Sequence, residues 1–110
     1  VRVRITESLE IDLVSELWLC QRCGHALAGA REDYKSGCLV AEVPLEEAHP
    51  PLVHAGSRSF TPDPDYCRLI EFYCPGCAVT IESEYLPPGH PPTHDIELDI
   101  DALKRRHGVG

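Results

Sequence analysis

A chain of 110 residues is one domain's worth, with room for a modest core near the size at which metals and cross-links begin to matter. Eighteen acidic residues against ten basic ones give a net charge of −8. That balance argues against a nucleic-acid or acidic-membrane surface and suits a protein partner or simple solubility.

Short strands dominate in chain order. Val1, Val3 and Ile5 alternate with Arg2 and Arg4, and Leu9, Ile11 and Leu13 alternate with Glu10 and Asp12. ELWLC runs from Glu16 into Cys20, and CLVAEV covers residues 38–43. A Pro-rich stretch, residues 49–65, predicts a long irregular connection. CRLIEFYC, residues 67–74, is rich in strand formers, and VTIESEY places Val79, Ile81 and Tyr85 on one face. PPGHPP, residues 87–92, is a second Pro-rich segment. DIELDID, residues 95–101, repeats the alternation through Ile96, Leu98 and Ile100 and reads as a further strand. One helix is expected over Asp101–His107, with Asp99 or Asp101 as N-cap and Gly108 as its stop. KRRH, residues 104–107, is then a solvated helix end.

The repeated element is C-x-x-C: Cys20 and Cys23 in LCQRCGHAL, Cys74 and Cys77 in YCPGCAVTI. No apolar run is long enough for a transmembrane helix or a signal-peptide core. The chain begins at Val1 and contains no Met, so the natural start is expected to be missing or processed. Six cysteines without an export signal favour a reducing compartment, where such pairs bind metal or do redox work. Each pair follows a strand and leads into another apolar stretch, the plan of a zinc ribbon in which two knuckles meet around one ion. Zinc favours four ligands in a tetrahedron, and four thiolates leave no position for substrate. Iron in a rubredoxin-like site uses the same ligands and is the main metal alternative. A redox dithiol would want a helix after its cysteines, whereas residues 78–85 read as strand. Disulfides are the third alternative.

The expected architecture is therefore mainly β: a zinc-ribbon-like single domain over 1–110. Its knuckles lie at 20–23 and 74–77, with an inserted β lobe at 24–73 and a C-terminal arm at 86–110 that carries a short helix. Gly24 supplies the backbone freedom wanted after the first knuckle. Ala78 stands at the corresponding place after the second, so strain or a different turn is expected there. Cys38 and Cys67 each open a strand and read as small buried hydrophobes, with a second metal site as a minority reading. Among His25, His49, His54, His90, His94 and His107, His25 adjoins the first knuckle and is a minority alternative to one of the cysteine ligands, since four cysteines are already present. His90 and His94 are expected to be exposed. No nucleophile motif, phosphate-binding Gly-rich loop or HExxH is present, so no catalytic residue is assigned.

The order of C-x-x-C-G-H, the pair Tyr34-Lys35, RLIEFYCPGCAVTIESEYLPPG and THDIELDI resembles the small γ-type subunit of acetone carboxylase and acetophenone carboxylase. The likeness covers residues 9–103. Ala78 departs from the family's usual C-P-x-C-G. The resemblance implies a zinc-binding, non-catalytic subunit with ligands Cys20, Cys23, Cys74 and Cys77. It implies a cytoplasmic hetro-oligomer with larger hydantoinase- and oxoprolinase-like subunits. Those subunits would hold ATP and Mg2+ and join bicarbonate to a ketone, giving a β-keto acid. The short chain leans toward the acetophenone enzyme. A rubredoxin-like electron carrier and a stand-alone zinc-ribbon interaction module are the alternatives.

Overall fold

The alternation in the first twenty residues folds as an antiparallel meander. In a computed structural model that describes residues 1–45 and 67–110, β1 (Arg2–Arg4), β2 (Leu9–Asp12), β3 (Leu17–Cys20) and β4 (Ala26–Gly29) form one sheet in chain order. Ile11 stands opposite Trp18 and Leu9 opposite Cys20. Leu9, Ile11 and Leu13 are buried while Glu10 and Asp12 are not, as the two-residue period of a strand requires. The Asp12 carboxylate accepts from the Val14 N–H at 2.9 Å and closes the turn into β3.

The second sheet consists of β5 (Leu39–Val43), β6 (Arg68–Tyr73) and β7 (Thr80–Leu86), antiparallel with β6 in the centre. A 3-10 turn, Tyr34–Gly37, lies between the sheets in sequence, capped by the Asp33 carboxylate on the Lys35 N–H at 3.0 Å. The main apolar cluster draws on both sheets. Leu9, Ile11, Trp18, Leu27 and Tyr34 pack with Cys74 and Ile81, and Cys38 also touches a smaller cluster of Ile70, Phe72 and Leu86. Ser8 Oγ donates to the Ile81 carbonyl at 2.8 Å, a polar tie between sheets whose residues are 73 apart in sequence.

The helix α1 covers Ile100–Arg106, with Asp99 as N-cap accepting from the Ala102 N–H at 3.0 Å. It ends at Gly108 (φ 69°), where the Val109 N–H returns to the Lys104 carbonyl at 2.8 Å. Lys104, Arg105 and Arg106 fill the last turn, where cations suit the helix dipole. One expectation is corrected here. Residues 95–99 form no strand and have no ladder partners, and Ile100 begins the helix. Alternation of Ile96 and Leu98 still arises because both half-bury against the main core, which needs no ladder. β4, in HALAG, carried too few strand formers to stand out in sequence.

Candidate metal centre

Both C-x-x-C pairs are built by the same local rules. β3 shifts register between Trp18 and Leu19 and then ends at Cys20; β6 shifts between Phe72 and Tyr73, immediately before Cys74. Each register shift breaks the regular pairing with the return strand just before the first cysteine of the pair, where added bend and twist help turn the chain. In the first turn, the Gly24 N–H returns to the Cys20 carbonyl at 2.8 Å and the Cys20 N–H donates to the His25 carbonyl at 2.9 Å. In the second, the Ala78 N–H returns to Cys74 at 2.8 Å and the Cys74 N–H donates to Val79 at 2.9 Å. The return strands pair at equivalent places, Leu19 with Ala26 and Tyr73 with Thr80.

The two turns meet tip to tip. Sγ of Cys20 lies 3.7 Å from Cys77 Sγ, and Cys23 Sγ lies 3.6 Å from Cys74 Sγ. All four sulfurs fall within 4.8 Å of one another. Zinc–sulfur bonds of about 2.3 Å in a tetrahedron give sulfur–sulfur edges of about 3.8 Å, so the spacing fits one tetrathiolate ion. Cys20 and Cys74 are buried, Cys77 is half-buried and Cys23 is exposed. The Gly76 N–H points at Cys74 Sγ at 3.3 Å, a contact that favours thiolate. A Cβ on Gly76 would lie 3.1 Å from the His25 Cβ and 3.2 Å from Cys23 Sγ. A side chain there would have to push the first turn back by a few tenths of an ångström.

The electrostatics call for a cation. Burial pushes the Cys20 thiol up to about 12. At Cys23 a hydrogen bond from the His25 backbone favours the thiolate, yet partial desolvation beside the cluster and the sulfurs of Cys74 and Cys77 outweigh it, and the thiol lies above its ordinary value. Burial opposes ionisation of Cys74 as well, but the Cys77 and Gly76 N–H groups and the neighbouring thiols hold it below its ordinary value. Four sulfurs this close do not all ionise alone, because like charges repel; a bound dication reverses that balance.

His25 stands beside the cluster in sequence but its ring is not among the four converging ligand groups, and it is exposed. Cys38 and Cys67 lie outside the four-sulfur cluster. Both are half-buried; the Cys38 thiol donates to the Tyr34 carbonyl at 3.5 Å, and burial pushes it up to about 11. His90 and His94 are exposed and His107 caps α1. His49, His54 and the Pro-rich stretch 49–65 lie outside the described residues.

Sequence reasoning singled out Tyr34-Lys35 without a physical role. Lys35 is buried, and its ammonium pairs with Glu84 and, at 3.2 Å, with Asp95, while donating to the Thr93 carbonyl at 2.7 Å. It also sits 5.2 Å from the centre of the Phe72 ring. Tyr34 donates to Asp95 at 3.1 Å. This cluster ties the 3-10 turn, β7 and the segment before α1 together. The burial of Lys35 has no sequence signal, because a lysine among polar neighbours reads as surface.

Among the described residues no helix is long and apolar enough to cross a membrane. The family model described as acetone carboxylase gamma subunit matches residues 3–108. The acetophenone carboxylase beta subunit of Aromatoleum aromaticum is 57% identical over 96% of this chain and 81% of its own length. The acetone carboxylase gamma subunit of Xanthobacter autotrophicus is 27% identical over 82% of this chain, which spans 52% of that relative. With nearly its whole length matched and the four C-x-x-C cysteines gathered into one cluster, the chain belongs to the acetone carboxylase gamma subunit family.

Proposed function

We propose that this chain is the zinc-carrying, non-catalytic subunit of an ATP-dependent ketone carboxylase, with acetophenone preferred to acetone as substrate. Cys20, Cys23, Cys74 and Cys77 hold one zinc ion, and residues 1–110 form a single domain around it. ATP, Mg2+ and the carboxylation chemistry belong to larger hydantoinase- and oxoprolinase-like subunits in a cytoplasmic hetero-oligomer.

The observation that carries this reading is the tetrahedral spacing of four sulfurs between two sheets. Four thiolates complete the coordination of zinc, so the ion supplies folding energy rather than a site for substrate or water. The relative named for acetophenone carboxylase is far more similar than the one named for acetone carboxylase, which supports the substrate preference.

The test is co-expression with the carboxylase subunits of the same source, followed by metal and mass analysis of the purified assembly. One zinc per chain in a colourless complex with large subunits is the expected result. A red iron tetrathiolate would replace zinc by iron, and a chain that elutes without any carboxylase subunit would overturn the assignment.

A further inference from the structure

Sheet edges are where unpaired backbone groups invite another strand, and proteins normally protect them with charge, bulges or cover. Among the described residues, three of the four sheet edges are protected. β1 carries Arg2 and Arg4, with Arg2 paired to Glu10 at 3.2 Å. β4 is covered by the 3-10 turn, whose Gly37 lies so close that a Cβ there would fall 1.5 Å from the Leu27 carbonyl oxygen. β7 is engaged by Ser8 at the Ile81 carbonyl and by Thr93, whose hydroxyl donates to Glu84 at 2.8 Å.

β5 differs. It reads LVAEV, and β6 is its one neighbour in the described sheet. Leu39 and Val40 point to opposite faces, yet they are 55% and 59% exposed. No lysine, proline or bulge interrupts the strand. The surrounding charge is one-sided: β5, β6 and β7 carry Glu42, Glu71, Glu82 and Glu84 against Arg68 alone. Lys35 neutralises Glu84. Glu42 is 59% exposed, and its nearest described cation, Arg68 Nη1, stands off at 4.0 Å.

We propose that the outer edge of β5 receives an extended strand from a carboxylase partner subunit. The incoming strand sets apolar side chains against Leu39 and Val40 and a lysine or arginine against Glu42. Backbone hydrogen bonds supply affinity, and the alternating side chains supply selectivity. A second copy of this chain fits less well. Its own β5 has no cation to offer Glu42, and self-pairing would set that carboxylate against another Glu42 or an apolar side chain. This inference rests on the subunit reading above.

The experiment is amide hydrogen exchange on the full chain, alone and in complex with its co-expressed carboxylase subunits, with V40K and E42K alongside. Both substitutions are at exposed positions, and thermal melts check their folding. The expected result is complex-dependent protection of alternate amides in residues 39–43 and binding about tenfold weaker for each variant. If the complex forms while these amides exchange as in the free chain and both variants bind normally, the β5 edge is not the interface and the subunit reading stands. If wild-type chain forms no complex, both fall. If protection of 39–43 instead rises with the chain's own concentration, the occupant is a second copy and the proposal is overturned.

Discussion

Gly24 and Ala78 occupy the same place in two copies of one turn. Each lies four residues after the first cysteine of its pair, each returns its N–H to that cysteine's carbonyl at 2.8 Å, and their φ angles are 78° and 63°. The turn needs a left-handed residue, and alanine adopts it at a cost of about 1–2 kcal/mol because its Cβ crowds the following carbonyl. The second knuckle therefore keeps the geometry of the first and absorbs the strain.

Ala78→Gly should relieve that strain. The greater freedom of glycine in the unfolded chain returns about 0.4–1 kcal/mol of the gain. A net stabilisation of about 0.5–1 kcal/mol is expected in denaturant melts of the metal-loaded protein. A clear loss of stability would mean that the Ala78 methyl makes a favourable contact outweighing the strain.

Gly76→Ala should act the opposite way. The added methyl meets Cys23 Sγ at 3.2 Å and His25 at 3.1 Å, so the first knuckle must give by a few tenths of an ångström. Weaker metal retention in a chelator competition is the expected outcome, with a metal-free melt changed far less. Retention equal to wild type would show that the turns have room to spare.

Replacing Cys20 or Cys74 with serine should abolish stoichiometric metal binding and most of the stability, since metal in small zinc domains contributes on the order of 10 kcal/mol. Cys38→Ser and Cys67→Ser lie outside the cluster and should keep full metal content. Metal analysis after gel filtration separates the two groups. Loss of metal from the Cys67 variant would point to a different ligand set.

Lys35→Met should cost about 3–5 kcal/mol, because Glu84 and Asp95 lose the buried cation that holds them. The pair also fixes a pH window. Burial opposes the charge on Glu84, but Lys35 and Thr93 overcome it and hold its carboxyl below the ordinary 4.5. Its contribution is complete above 4.5 and fades as pH falls through the lowered folded value. Burial likewise opposes the charge on Lys35, and Glu84 and Asp95 overcome it, raising it above 10.5. That contribution is complete below 10.5 and fades as pH rises through the folded value. Chemical melts across the acid range should show a steeper fall in stability for wild type than for Lys35→Met. Parallel curves would refute the pair's role.

Much of the candidate site was legible because its rules are local. The x-x spacing, the strand before each pair and the positive-φ position after it lie within a few residues of each cysteine. The helix was legible through Asp99 and Gly108, whose capping chemistry is equally local. The strand expected over 95–101 failed for the converse reason. Its alternation is a statement about burial, and Ile96 and Leu98 bury against the core without any ladder.

The sequence by itself determined the two knuckles, their four sulfur ligand candidates, the mainly β character and the terminal helix. Only the tertiary structure decided that Gly76 admits the first turn against the second and that Lys35 is buried among carboxylates. It also decided which sheet edges are covered. These depend on groups brought together across roughly fifty or more residues, Cys23 with Cys74 or Lys35 with Glu84. No local propensity encodes such meetings; they arise when two separately patterned sheets pack on one shared core.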